Sequence, residues 1–405
     1  MKAKKVWTIA FVALLALAAA VPFALGRDGA AQAQREENGA VRLLAVNVGK
    51  ADSLLVFIEG KTYLVDTGTV QAWGALHTAL KAMDITKLDG VFLTHTDKDH
   101  MGGMEMLSLS EIQVDAWYGS AMYTGIKPEK HQLPLAAARR NMQPVWLKAG
   151  DTVPVSDTSV FMVLGPITLD TENENNNSLV MVLATPHGNV LLTGDMEFEE
   201  EAAILASGSL PRCEVLKVSH HGEDDSTSLS FVQRVMPQVA LISTNSFEEP
   251  DTPHPSVMAT LKRTGAKIAI TQNAKGGMLA TLAQGKADVA AVEWGNVPGI
   301  SGSLRLAGLD AQQDVLTIKN TGTEAISLAG WYVFSTRGEE IFFFPDNASL
   351  APGATARLGS TETPGACDWR FDDKNVWHNK KKDEAMLYDP YGRVTDRLDN
   401  GLTEE

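Results

Sequence analysis

The chain has 405 residues, 44% of them hydrophobic and 21% charged, with a formal charge of −15. That length fills more than one core, so disorder is excluded as the default state and two globular domains after any leader are expected. The acidic balance excludes bulk electrostatic capture of polyanions, which depends on Lys and Arg neutralising phosphates, and leaves only local handling of nucleic acid.

Only two cysteines are present, which excludes a disulfide-rich scaffold and cysteine-rich zinc modules. Cys213 and Cys367 leave two alternatives open, one disulfide or two buried free thiols. Residues 1–34 form a targeting segment: Lys2, Lys4 and Lys5 precede an apolar run over 6–25. Cleavage is expected after Ala33, where Ala31-Gln32-Ala33 has the small-x-small pattern, or after Gly26. Since about 20 apolar residues span a bilayer, an uncleaved anchor is the alternative. Either way the protein is expected to be exported, secreted or held at the cell surface, with membrane contact only through this segment.

From residue 41 the pattern changes. Residues 41–48, 53–58 and 62–65 alternate or run apolar as strands, the third leading into Asp66-Thr67-Gly68. Residues 72–83 have helical spacing and precede a strand over 90–93, so the expected class is an α/β sandwich. That strand opens into Thr94 to Gly103, T-H-T-D-K-D-H-M-G-G. His95, Asp97, Asp99 and His100 are four candidate metal ligands on one loop: alternate residues face one side, and the adjacent pair serves a second centre. A solvated polar turn does not explain two histidines bracketing two aspartates directly after a buried strand.

This loop resembles the H-x-H-x-D-H motif of the metallo-β-lactamase superfamily, in the H-x-D-x-D-H form of ComEC-type competence proteins. Residues 46–53, V-N-V-G-K-A-D-S, are similar to that group's D-V-G-Q-G-D-S, with Asn47 and Ala51 as departures. Asp66 matches the superfamily's first conserved aspartate, and 175–180 match N-x-S-L-V. Residues 191–195, L-L-T-G-D, match the strand ending in a bridging aspartate. Lys217 to Gly222 resembles the H-H-G-S region, with Glu223 where Ser is usual, and His254-Pro255-Ser256 resembles H-P-S. The resemblance covers about residues 41 to 285 and implies an αββα sandwich.

Hydrolysis of a phosphodiester at neutral pH needs a hydroxide nucleophile and relief of charge on phosphorus, which two divalent cations sharing a bridging hydroxide supply. Asp195, at the end of an apolar strand, is the expected bridge. His95 and Asp97 are assigned to one cation, Asp99, His100 and His221 to the other. The superfamily's further histidine upstream of the bridge is missing, and Asn175 to Asn177 stand in that region. More oxygen ligands shift preference towards manganese or magnesium, while the Irving–Williams order favours zinc. Asp99, His220 and His254 are the candidate catalytic residues: His254 would protonate the leaving oxygen or touch phosphate, and His220 would meet substrate or support the site from beneath. No G-x-S-x-G elbow is present.

A Gly/Pro/Ser-rich stretch over 295–303 separates this part from strands expected at 314–320, 326–333 and 340–344. Lys319 to Gly322, Leu328 to Trp331, Phe344-Pro345 and Leu350 to Gly353 resemble the lamin-tail domain, an immunoglobulin-like β-sandwich. The expected domains are a leader over 1–34, a metallo-β-lactamase-fold hydrolase over 41–294 and a lamin-tail sandwich over 302–405, the last serving attachment to a cell wall. Lys380 to Lys382, with Trp377 and His378, either contact phosphate or wall polymer or form a solvated loop. The leading expectation is a nuclease or phosphodiesterase acting on extracellular DNA. Arg139, Arg140, Lys127 and Lys130 are its candidate groove. The alternatives are a phosphodiesterase or esterase acting on a cell-wall or small-molecule substrate, and a non-enzymatic surface adhesion protein.

Overall fold

The structure, a computed structural model, describes residues 24–25, 39–294, 302–338, 340–390 and 393–403. The expected leader and the expected interdomain linker therefore lie almost wholly outside the described residues. Among those described, no helix is long and apolar enough to cross a membrane.

The short strands that begin at residue 41 are apolar on both faces because both faces are covered. In Val41–Ala45, the side chains of Val41, Leu43 and Ala45 enter one core and Leu44 enters another. Leu54–Ile58 divides in the same way, with Leu54, Val56 and Ile58 on one side and Leu55 and Phe57 on the other. In a second sheet, Met181 and Leu183 of Val180–Thr185 face the shared core, while Val180 and Val182 face a third cluster. Period-two alternation with both sides buried thus produces two sheets packed face to face, with helices outside each.

The first sheet has nine strands and the second seven. Helices Trp73–Ala82, Met104–Leu109 and Gln132–Arg139 cover the first. Phe198–Ser207, Leu229–Val235 and Pro255–Arg263 cover the second. Phe198–Ser207 begins with Glu199, Glu200 and Glu201, favourable to its dipole, and ends at Gly208 with φ 71°. Glu200 is buried and accepts a hydrogen bond from Ile167 N at 2.9 Å. Burial raises its pKa from 4.5 to about 7.

A raised carboxyl contributes stability that is complete below about pH 4.5 and is lost as pH rises through about 7. Glu200→Gln, which keeps the acceptor, is therefore expected to remove roughly 3 kcal/mol of the stability difference between pH 4.5 and pH 8. Urea unfolding of both proteins across that range checks this; parallel pH profiles would contradict it.

The C-terminal region forms a sandwich of two four-stranded sheets around one core containing Leu316, Ile318, Trp331, Val333 and Leu387. Trp331 is a core residue. The expected strand over 326–333 is instead two: Ile326–Ser327 and Tyr332–Ser335. Between them the chain turns, with Gly330 at φ 76° and Trp331 N bonded to Leu328 O at 3.0 Å. Tyr332, Phe334, Met386 and Tyr388 leave the sandwich on its outer face and join the cluster of the first domain's helices, next to Trp73 and Leu76. The second domain is thus docked on the first through an apolar face.

Trp377 is also core, and the His378 ring accepts the amides of Lys380 and Lys381 at 3.1 and 3.0 Å. Of the two readings of this region, the solvated loop describes its residues better. Cys213 and Cys367 are both free thiols, and burial pushes Cys213 up to about 12.

Candidate metal centre

Five buried strands end at one rim of the sandwich, and each hands over to a polar residue. Lys61–Val65 ends at Asp66, Gly90–Leu93 at Thr94-His95, Gly188–Leu192 before Asp195, Val215–Lys217 before His221, and Val239–Ile242 at Ser243. Rigid strands from both sheets therefore fix side chains from separated segments. The ligand loop itself contains a helical turn, Lys98–Met101, which presents Asp99 and His100.

Ligand atoms of Asp99, His100, Asp195 and His221 lie within 4.8 Å of one another. Asp195 Oδ2 is 3.0 Å from His100 Nε2 and 3.1 Å from His221 Nε2, and Asp99 Oδ2 is 3.3 Å from His221 Nε2. Burial opposes the charge on His100, yet Asp195 and Asp66 outweigh it and hold its pKa well above the usual value. The same balance lifts His221 to about 9, through Asp195, Asp99 and Asp52. Burial likewise opposes ionisation of Asp195 and Asp99, but the two imidazoles hold both well below the usual carboxylate range. Such a concentration of buried, opposed donors is what a cation site requires.

The imidazoles are oriented from behind. Asp66, fully buried with φ 58°, lies 2.8 Å from His100 Nδ1 and accepts from Thr94 N and Thr94 Oγ1 at 2.8 and 2.7 Å. His221 Nδ1 is 2.8 Å from Ser243 O. Each bond fixes a tautomer and leaves Nε2 facing the cluster. Asp66→Asn is expected to weaken metal binding about 10- to 100-fold with the fold intact. Equilibrium dialysis with Mn²⁺ checks this, and an unchanged affinity would contradict it.

The second expected group is more open. His95 Nε2 is buried and lies 3.7 Å from Asp97 Oδ2, whose side chain is 49% exposed. The side-chain nitrogens of Asn175, Asn176 and Asn177 donate to Glu197, Asp170 and Glu174 and build the 170–177 turn. Ser178 meets the His95 ring at its other nitrogen: its Oγ is 3.3 Å from His95 Nδ1 and accepts from Asp195 N at 3.0 Å.

His220 stands beside the four-residue cluster, 2.9 Å from Asp225 Oδ1 and 3.3 Å from Asn175 Nδ2. His254 caps Pro255–Arg263: its Nδ1 accepts from Ser256 N, and its own amide donates to Gly222 O at 2.7 Å. Of the groove residues, Arg140 donates to the carbonyls of Leu107, Ser110 and Ile112, while Arg139, paired with Glu105, and Lys130 line the cleft beside Asp97.

Sequence reasoning missed the pair beneath the site. Lys217 is fully buried, with Nζ 2.6 Å from Asp52 Oδ2 and donating to Val218 O at 2.8 Å. Asp52 in turn donates its amide to Asp99 O and accepts from Gly68 N through its carbonyl. The one signal available was a lysine inside an apolar strand, which must find an anion.

His95 Nε2, Asp195 Oδ1 and His221 Nε2 are buried without a hydrogen bond. Orphaned polar atoms of this kind are rare in folded proteins, and imidazole nitrogens with carboxylate oxygens are a donor set for divalent cations. Residues 46–246 match the family described as Metallo-beta-lactamase superfamily, and residues 300–401 match the Lamin Tail Domain. The chain carries a metallo-beta-lactamase domain followed by a lamin tail domain. The metallo-beta-lactamase fold implies divalent metal ions, and the residues present fit them.

Among relatives, the ComE operon protein 3 of Bacillus subtilis (strain 168) is 28% identical over 248 residues, 56% of this chain and 31% of that protein. Recombination protein 2 of Haemophilus influenzae (strain ATCC 51907 / DSM 11121 / KW20 / Rd) is 29% identical over 239 residues, 58% of this chain and 28% of that protein. The chain therefore spans under a third of the length of these relatives. The metallo-beta-lactamase fold protein YhfI from Bacillus subtilis is 14% identical, with a TM-score of 0.40, covering 60% of this chain and 99% of that one.

Proposed function

We propose that the chain is an exported, metal-dependent phosphodiesterase that cleaves extracellular DNA. The observation that carries this reading is the convergence, from both sheets, of His95 Nε2 and Asp195 Oδ1, each buried without a hydrogen bond, with His221 Nε2, which faces Asp195 and Asp99 at 3.1 and 3.3 Å. In this assignment His95 and Asp97 hold one divalent cation, Asp99, His100 and His221 hold another, and Asp195 serves both. Two such cations, manganese or zinc with magnesium also suited, would make water nucleophilic at neutral pH and relieve charge on the phosphoryl oxygens.

The protein's own residues supply the rest. Asp66 and Ser243 aim the imidazoles, and the Lys217–Asp52 pair holds the segments that bear Asp99 and His221. His254, tethered to Gly222, and His220, tethered to Asp225, flank the cluster and are assigned to the leaving-group side. A cleft of about 1040 Å³ is lined by Asp97, Lys98 and Glu174 together with Phe342, Phe343 and Arg370 of the lamin tail domain. The names of two relatives, Recombination protein 2 of Haemophilus influenzae and Competence protein ComA of Neisseria gonorrhoeae, support DNA as the substrate. The lamin tail domain is assigned to wall attachment, with the exposed Lys380 to Lys382 loop facing solvent.

The test is incubation of the purified chain with plasmid DNA and with bis-p-nitrophenyl phosphate, with and without Mn²⁺. Mn²⁺-dependent cleavage of both is the expected result. Cleavage of the small ester alone would replace DNA by a wall-polymer or small-molecule substrate, and inertness towards both would overturn the enzymatic reading.

A further inference from the structure

Two side chains at the rim of the metal cluster have no part in holding it. Lys50 Nζ pairs with Glu223 Oε1 at 2.7 Å, the two side chains being 21% and 29% exposed. Lys50 lies just ahead of Asp52, whose amide is bonded to Asp99 O, and Glu223 follows the His221-Gly222 segment directly. The ammonium therefore stands across the mouth of the cluster. Burial works against its charge, but Glu223, Asp99 and Asp195 together hold it protonated. Glu223, which stands where Ser is usual in the H-H-G-S region, thus meets Lys50 in space.

The second side chain is Phe247, which is 93% exposed; the next most exposed large apolar side chains among the described residues are 48%. Its loop leaves directly from Ser243, whose carbonyl orients His221. The same loop returns to Lys50: Glu248 Oε2 accepts from Lys50 N at 2.8 Å, and Glu248 Oε1 accepts from Asn245 Nδ2 at 2.7 Å. Asn245 Oδ1 also accepts from Phe247 N at 3.1 Å. The backbone beneath the ring is thus held in place while the ring itself packs on nothing. A cation and a presented aromatic ring, tied together beside a hydrolytic cluster, have the chemistry of a charged phosphate followed by a flat base.

We propose that Lys50 and Phe247 form a nucleotide subsite beside the metal cluster, the ammonium receiving a phosphate and the phenyl ring stacking on the adjoining base. The inference rests on the phosphodiesterase reading and narrows its substrate to nucleic acid with an unpaired base at the site. Glu223 holds the flexible lysine stem in position and serves as its counter-anion when no phosphate is bound.

Isothermal titration of the Mn²⁺-loaded full chain with thymidine 5′-monophosphate and with inorganic phosphate tests it. The wild-type chain is expected to bind the nucleotide about tenfold more tightly than phosphate, a preference of the size a single stacked base supplies. Phe247→Ala abolishes that preference and leaves phosphate affinity unchanged. Lys50→Met weakens both ligands about tenfold at unchanged metal content, as loss of a charge-assisted contact requires. Glu223→Gln weakens neither. A nucleotide preference that survives Phe247→Ala, or phosphate binding untouched by Lys50→Met, overturns the subsite. Phosphate binding with no nucleotide preference in the wild type sinks the subsite while the phosphodiesterase stands; binding of neither ligand, together with no cleavage of bis-p-nitrophenyl phosphate, sinks the phosphodiesterase itself.

Discussion

Replacing Asp195 with asparagine is expected to leave a folded protein whose phosphodiesterase rate is lower by on the order of a thousandfold, because several kcal/mol of charge stabilisation depend on the cations it holds. The substitution is isosteric, so packing around Leu191, Leu192 and Met196 is kept. What changes is charge. Asp195 is the carboxylate that meets both His100 and His221, and its Oδ1 is the buried oxygen left for a cation. Steady-state rates on bis-p-nitrophenyl phosphate in Mn²⁺, beside circular dichroism of both proteins, check the outcome. A folded variant with wild-type rate would remove Asp195 from the site.

Lys217→Met is expected to give the largest loss of stability, about 3–5 kcal/mol, because it strands the buried carboxylate of Asp52 without its cation. The pair is fully enclosed, with Lys217 at 0% and Asp52 at 1% exposure and a separation of 2.6 Å. Removing both charges in Lys217→Met, Asp52→Asn is expected to recover most of that loss, since replacing a buried ion pair by neutral groups of similar size is close to neutral. Chemical denaturation of the two variants separates the cases. If the single variant were as stable as the wild type, the ion pair would not be holding the segments beneath the metal cluster. The bond from Asp52 N to Asp99 O is made by the backbone, so it is kept in the double variant.

The parts of this molecule that were legible in its sequence are those written as local patterns. Short runs such as 54–58 and 90–93 carry no polar side chain, so strand and burial follow together, and four ligand residues of two types within six positions announce the 95–100 loop. The N-terminal sheets, the lamin-tail sandwich and the metallo-beta-lactamase match all rest on such patterns. What was not legible depends on partners far away in the chain. Lys217 shows that an anion is needed but not that Asp52 supplies it. Nor does the sequence show that the side-chain nitrogens of Asn175 to Asn177 are bonded to Asp170, Glu174 and Glu197, or that Ser178 Oγ meets His95 Nδ1.

The same limit governs the second domain. Residues 326–333 read as one strand because their side chains are apolar, while the positive φ of Gly330 breaks the run into a turn. Tyr332 and Phe334 alternate with Val333 as any strand buried on both faces would, and only the folded chain shows that one of those faces belongs to the neighbouring domain. Lys50 and Glu223 likewise belong to separate motifs in the sequence, and only the folded chain brings their side chains to 2.7 Å.

If His95, Asp97, Asp99, His100, Asp195 and His221 together hold two divalent cations, mass spectrometry of the chain after loading with Mn²⁺ or Zn²⁺ and desalting will count them. Two ions per chain are expected, and fewer in Asp195→Asn; one ion or none in the folded wild-type protein at saturating metal would overturn the dinuclear site.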